Sequence, residues 1–460
     1  MTIVNYYGVK EDLYIFSLLY DKKSDLSSLY CTKIDKNLKS SDAVLVDQIT
    51  AEKKSEAYSY SVYLSTDSSR FVIMKNPEQK KNEKDVYLFK LIDTKTLKAT
   101  ANFSYTTTTS EKNTTFKNVI FNGEGVMFLL LVAKNEEAKE KNKKVKNKED
   151  KIEQYSFKMI TANPARNYEV KEYTVSVPGK DLLELELRYN PQTSKVYGIG
   201  TYSNLKKSGK AQWGLHGFAY LVMDEDKVAL EKSSFKDFSD ELVTKIAGER
   251  AARKDKGITA NFEVKEVITK PDGGLYMIME EDWVQVVTTT TTNANGGTST
   301  RTDYYYYNND VLVTYVNPSG SITWFSHIPK NQVTVNDGGY RNSIYAHLVN
   351  NKLHIVFNGS KKIIEMNDVS QIMNLSKGKC AIIDVIVDNE GKYKITEINN
   401  VSGEHEYTIT PKNMQKISAN EAVLLGYKAF KKKSCFSCGC FALFRKKQAD
   451  DIKMATVKFD

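Results

Sequence analysis

The feature that most constrains this chain is a recurrence. Seven times along the 460 residues, a polar turn precedes a short strand of aromatic and branched residues. The strands are Leu13 to Phe16, Phe71 to Met74, Val126 to Leu129, Val196 to Ile199, Leu275 to Ile278, Leu353 to Val356 and Ala422 to Leu425. The turns ahead of them include Thr66 to Ser69, Asn122 to Gly125, Asn190 to Thr193, Pro271 to Gly274 and Asn350-Asn351. Asn, Asp, Gly and Ser in such turns supply positive φ or local hydrogen bonds from side chain to backbone. A second strand follows in most units, as in Leu29 to Ile34, Val86 to Ile92, Ala219 to Met223, Val311 to Val316 and Ile382 to Val387. Each leads through another polar turn into a further strand, such as Ser321 to Phe325 or Lys392 to Thr396.

A unit of this kind reads as three or four antiparallel strands, repeating every 55–80 residues. Short apolar strands in tandem cannot bury both faces alone, whereas sheets stacked face to face do. The expected fold is therefore all-β: a β-propeller of about seven four-stranded antiparallel blades, spanning residues 1–460 as a single domain. The chain ends leave six or eight blades open. Two or more β-sandwiches account for the strands equally well but not for the recurrence. No Pro/Gly-rich linker separates candidate domains, and Pro numbers only 8.

One segment, about residues 236–253, breaks the pattern. Phe238, Leu242, Val243, Ile246 and Ala247 share a helical face, Ser239 or Asp240 can cap the start, and Gly257 follows the end. Two stretches are expected as loop insertions: the charged segment 134–151 and the Thr/Asn/Gly-rich segment 288–302, the latter mobile.

Composition excludes several classes. A 41% hydrophobic content is too high for a disordered tail, and five Cys are too few for a disulfide scaffold. No stretch approaches the ~18–20 apolar residues of a membrane span. The net charge of 66 − 57 = +9 is mild. Its excess sits in Lys134 to Lys151, and in Lys431 to Lys433 with Arg445 to Lys447. The first run mixes both signs and reads as a solvated loop, so no specific nucleic-acid partner is expected. Neither a basic n-region nor an apolar h-region follows Met1. The reading is cytoplasmic if Met1 is the true start, and periplasm or cell surface if an upstream signal peptide is missing.

Motifs for phosphate loops, zinc proteases and serine hydrolases are absent from the sequence. None of His216, His327, His347, His354 and His405 has metal-site spacing. Cys435, Cys438 and Cys440 could offer three thiolates to a metal, but no fourth ligand lies nearby in sequence. Their expected role is turn and strand cysteines, and no cofactor is expected. Unit five carries the densest polar and aromatic set, running from Glu280 through Tyr304 to Tyr307 and on to Gln332. Within it, Glu280, Glu281, Tyr305, Asp310, Trp324 and Lys330 are the candidate ligand-binding residues. Adjacent strand residues point to opposite faces, so Glu280 and Glu281 are not a ready-made catalytic pair. No catalytic residue is assigned.

Across about residues 230–360, Asp272-Gly273-Gly274, Glu280, Tyr307 to Val313, Gly320 to Trp324, Ile328 to Gln332 and Asp337-Gly338-Gly339 follow one another. This segment resembles uncharacterised β-propeller-like proteins of Bacteroidota. The resemblance implies the propeller fold and an envelope location, because such relatives carry a signal peptide. It implies no reaction. The expected function is a non-catalytic scaffold or binding protein for a protein or glycan ligand. The alternative is a propeller-type hydrolase or lyase acting on carbohydrate or peptide through carboxylates such as Glu280 or Asp310.

Overall fold

The computed structural model describes residues 2–50, 60–75, 84–110, 114–134, 155–190, 193–206, 211–212, 214–224, 229–254, 256–292, 294–360, 373–374, 380–398, 407–428 and 451–459. The fold is all-β and of the β-propeller type, built from successive antiparallel sheets. The described residues form seven sheets in chain order, most of them four-stranded meanders. All seven recurrent apolar segments are found as strands, and each is the second or central strand of its sheet. These are Asp12–Asp21, Arg70–Lys75, Met127–Lys134, Lys195–Asn204, Leu275–Thr292, Lys352–Ser360 and Glu421–Lys428. The turn chemistry is as expected. At Asn350 and Asn351 both φ values are positive, 48° and 61°, closing a two-residue hairpin between Val349 and Lys352.

The chain divides into two compact units. Unit 1 is Met1–Phe238 with Asp255–Gly257, and unit 2 is Ser239–Lys254 with Ile258–Asp460. Unit 1 holds sheets one to four and unit 2 holds sheets five to seven.

Sheet three shows why the central strands read as continuous apolar runs. In Met127–Lys134, Met127, Leu129 and Leu131 join Val72, Phe89 and Leu91 of sheet two in one core. The alternate residues Phe128 and Leu130 join Leu185, Leu187 and Leu221 of sheet four in another. Both faces of the sheet are thus covered, and each fully buried Leu or Phe contributes roughly 1.5–3 kcal/mol. The same alternation recurs in unit 2. Leu353, Ile355 and Phe357 pack with Ile278 and Val313 of sheet five, while Val356 packs with Leu424 and Val457 of sheet seven.

Two local expectations are corrected. The segment 288–302 is not a loop. The strands Leu275–Thr292 and Thr298–Val316 pair without interruption from Asp282↔Asn308 to Thr292↔Thr298. β-Branched Thr suits a pleated strand, and Thr288 and Thr290 approach Thr302 and Thr300 across it at 3.3 Å. The helix is also shorter than 236–253, because Ala229–Asp237 is a strand. Helix α1 spans Asp240–Ala247, with Ser239 accepting from the Leu242 N–H as its cap. Gly248, at φ 84° and ψ 160°, breaks it before the one-turn helix α2, Glu249–Ala252.

The charged segment from residue 135 to 151 and the basic runs at 431–433 and 445–447 lie outside the described residues, as do Cys435, Cys438 and Cys440. Among the described residues, no helix is long and apolar enough to cross a membrane.

Candidate binding site

Sheet five gathers four of the six candidate residues around an interruption in its hydrogen-bond ladder. The register of Leu275–Thr292 against Thr298–Val316 slips between Glu280 and Asp282. The register of Thr298–Val316 against Ile322–Val335 slips between Asn309 and Val311. At the first slip Glu281 faces both Asn309 and Asp310, and at the second Asp310 faces both Pro329 and Lys330. Bulges of this kind re-aim side chains.

Glu280 continues the face of Tyr276 and Ile278, and is fully buried. Its Oε1 lies 2.8 Å from Lys330 Nζ, an ammonium only 1% exposed. Asn308 Nδ2 and the Ser343 hydroxyl donate to Glu280 Oε2 at 2.9 and 2.5 Å. Lys330 Nζ also donates to the Asn308 carbonyl at 2.6 Å and to Gln332 Oε1 at 2.9 Å. Burial pushes the Lys330 pKa down from its ordinary value, opposed mainly by the Glu280 charge. The network continues outward. Gln332 Nε2 donates to the Asn358 carbonyl of sheet six at 2.8 Å. The Asn358 amide in turn donates to the carbonyls of Arg341 and Ile409 at 2.6 and 2.7 Å, and accepts from the Ile409 N–H at 2.8 Å. Glu280 and Lys330 are therefore committed to a buried network that ties sheet five to sheets six and seven.

Glu281 and Asp310 interact with each other. Burial, then the Asp310 charge, holds the Glu281 carboxyl above the usual range, against hydrogen bonding from Asn309 and the charge of Lys330. Asp310 Oδ2 lies 3.0 Å from His327 Nε2, and its Oδ1 accepts from the Lys330 N–H at 3.0 Å. Tyr305 and Trp324 are not part of this group. Tyr305 sits along the extended hairpin, opposite Gln285 and Val335. Trp324 lies six residues before Lys330 on its strand, where its indole N–H donates to the Asn389 carbonyl at 2.8 Å. Its ring packs against Gly391, whose φ of 83° and lack of a side chain permit the approach. Among the described residues, no three His, Cys, Asp or Glu side chains are placed to hold a metal ion.

The sequence reading missed an open cleft of about 550 Å³ in unit 2. Its walls come from the first strands of sheets five and six, Phe262–Thr269 and Tyr345–Val349, and from the hairpin that follows Gln415–Ser418 in sheet seven. Ile268, Pro271, Ala346 and Leu348 give it apolar walls, and Glu266 and Lys416 bring opposite charges. Tyr345 and His347 lie between them. Burial, then the Glu266 charge, pushes the Tyr345 phenol up to about 12. His347 Nε2 donates to the Ala419 carbonyl at 3.0 Å, leaving Nδ1 as the acceptor side, 3.5 Å from the Tyr345 hydroxyl. Behind the cleft, the Phe459 ring packs on His347 and on His354, whose Nδ1 lies 2.8 Å from Asp384 Oδ2.

Burial holds the His347 pKa below its ordinary 6.5, reinforced by the Lys416 and His354 charges and opposed by the Ala419 carbonyl. Between that lowered pKa and 6.5, the unfolded chain binds more protons at this group than the folded one. The His347 contribution to stability is therefore complete above about pH 6.5 and declines as the pH falls toward the folded value. The urea midpoint should drop on going from about pH 7 to about pH 5.5, and His347→Gln should flatten that part of the profile. An unchanged profile in the variant would show that the slope comes from other groups.

The fold and the cleft define a β-propeller-type chain with a ligand-sized recess at the first strands of adjacent sheets. No family model matches the sequence. No curated protein matches it either. Among solved structures, it is similar to the β-propeller domain of the Trilobed protease from Pyrococcus furiosus at 11% identity and TM-score 0.38, covering 93% of this chain and 90% of that one. The Dos1 propeller gives 8% identity and TM-score 0.36, covering 92% and 90%. The polysaccharide lyase Uly1 gives 8% identity and TM-score 0.39, covering 100% and 90%. Likenesses this distant assign no activity or ligand to this chain.

Proposed function

We propose that the protein is a non-catalytic binding module that takes a short polypeptide segment in the cleft of unit 2. The observation that carries this reading is the lining itself. Apolar walls for one or two side chains lie between a carboxylate, Glu266, and an ammonium, Lys416, with the half-buried Tyr345 offering an amphipathic ring. A volume of about 550 Å³ suits a few residues of peptide. The most conspicuous carboxylate in the sequence, Glu280, is withdrawn into a buried ion pair. An envelope location, implied by the resemblance over residues 230–360, is part of the proposal and is checked by cell fractionation.

The test is a peptide array and a glycan array probed with the full chain and with Lys416→Glu. Peptides carrying an acidic residue beside an apolar one should bind, and the charge reversal should abolish that signal. Binding confined to glycans, or peptide binding untouched by the reversal, overturns the reading. The hydrolase or lyase alternative keeps one supporting observation, the raised carboxyl of Glu281 beside Asp310 and His327. Turnover of a carbohydrate or peptide substrate that Glu281→Gln abolishes would establish it in place of the binding reading.

A further inference from the structure

Unit 1 carries a second cleft, of about 300 Å³, with a different chemistry. It lies between the outer strand Val44–Thr50 of sheet one and the face of sheet two that carries Lys75 and Lys90. At its centre Asp47, 6% exposed, sits between two lysines. Lys75 Nζ is 2.9 Å from Oδ2 and Lys90 Nζ is 2.5 Å from Oδ1. Lys90 also donates to the Val46 carbonyl at 3.1 Å. Burial works against the Asp47 charge, but hydrogen bonds from the two lysines hold its carboxyl below the usual range. Asp47 is thus an ionised anchor that fixes two ammonium groups side by side.

One carboxylate against two ammoniums leaves the cleft at −1 + 2 = +1. Each ammonium carries three N–H donors. Among the described residues, Lys75 meets one acceptor and Lys90 two. Donor capacity for a further anion therefore remains, on side chains that are 22% and 26% exposed. The neighbouring wall supplies neutral polar groups. Asn102 is in register with Lys90 and Ser104 with Leu88, so amide, hydroxyl, ammonium and an apolar side chain share one surface.

From this juxtaposition we propose that the cleft binds a sugar acid, its carboxylate accepting from the N–H donors of Lys75 and Lys90 that Asp47 leaves free. Its ring hydroxyls meet Asn102 and Ser104, and its apolar ring face rests on Leu88. The volume is at the small end of ligand pockets, which suits a single ring. Paired ammoniums select the carboxylate by charge, and the amide and hydroxyl distinguish a polyhydroxy body from a bare carboxylate.

The experiment is calorimetric titration of the full chain with glucuronate, glucose, acetate and N-acetylaspartate. Glucuronate should bind at least tenfold tighter than glucose or acetate, and more weakly as salt is added. Lys75→Met leaves the Asp47–Lys90 pair in place and takes the cleft to zero net charge, so glucuronate affinity should fall at least tenfold. Lys75→Arg should restore it, which separates lost charge from lost folding. Asn102→Ala should weaken glucuronate severalfold and leave acetate unchanged. Glucuronate binding no better than glucose, or equal in wild type and Lys75→Met, overturns the site. N-acetylaspartate binding tighter than glucuronate overturns the sugar-acid assignment. None of these outcomes bears on the unit 2 cleft, whose residues are untouched.

Discussion

Replacing Lys330 by methionine should lower the stability of the chain by about 3–5 kcal/mol, seen as a fall in the urea midpoint. The side chain is 1% exposed and faces a Glu280 carboxylate with no exposure at all. Removing the ammonium leaves that charge in the core with the Asn308 amide and the Ser343 hydroxyl as its hydrogen-bond partners among the described residues. The penalty is the stranded charge rather than the lost attraction, so a double variant separates the two. Glu280→Gln with Lys330→Met removes both charges and should recover most of the loss. A single-variant loss under about 1 kcal/mol would count against this account.

Asn358→Leu should be the next most damaging change in unit 2, at about 3 kcal/mol. The substitution keeps the number and branching of the side-chain heavy atoms, so the effect comes chiefly from polar groups. The carbonyls of Arg341 and Ile409 lose their donor and the Ile409 N–H loses its acceptor, each at roughly 1 kcal/mol. Hydrogen exchange at the Ile409 amide reports this directly, and protection there should fall far more than at amides of unit 1. Equal protection in variant and wild type would show that the amide is held by its strand pairing alone.

The strand pattern was legible because its signals are local. A run such as Phe71 to Met74 bounded by Thr66 to Ser69 announces a buried strand and its turn within ten residues. The Ser239 cap was legible for the same reason. The helix break at Gly248 was not, because a lone glycine within a helical pattern is often tolerated. The Thr-rich segment misled through its low complexity, although its β-branched composition favours the extended hairpin that forms.

The site was legible in part. Glu280, Glu281, Asp310 and Lys330 do converge, because cross-strand pairing in sheet five brings them together. Their burial was hidden, since Ser343 and Asn358, which complete the network, lie far along the chain. The cleft was hidden more thoroughly. Glu266, Tyr345, His347 and Lys416 belong to three sheets, and no spacing in the sequence relates them. Asp47, Lys75 and Lys90 meet across two sheets in the same way.

The placing of the indoles has an optical consequence. Of the three Trp in the chain, two belong to sheet five. Trp283 stacks on Tyr307 at 4.6 Å in the hairpin, and Trp324 is held to the Asn389 carbonyl of sheet six. The third, Trp213, lies outside the described residues. Intrinsic fluorescence therefore weights the two units unequally. Parting sheet five from sheet six exposes the Trp324 indole and shifts its emission to the red. The emission of the unlabelled chain therefore follows mainly sheet five of unit 2.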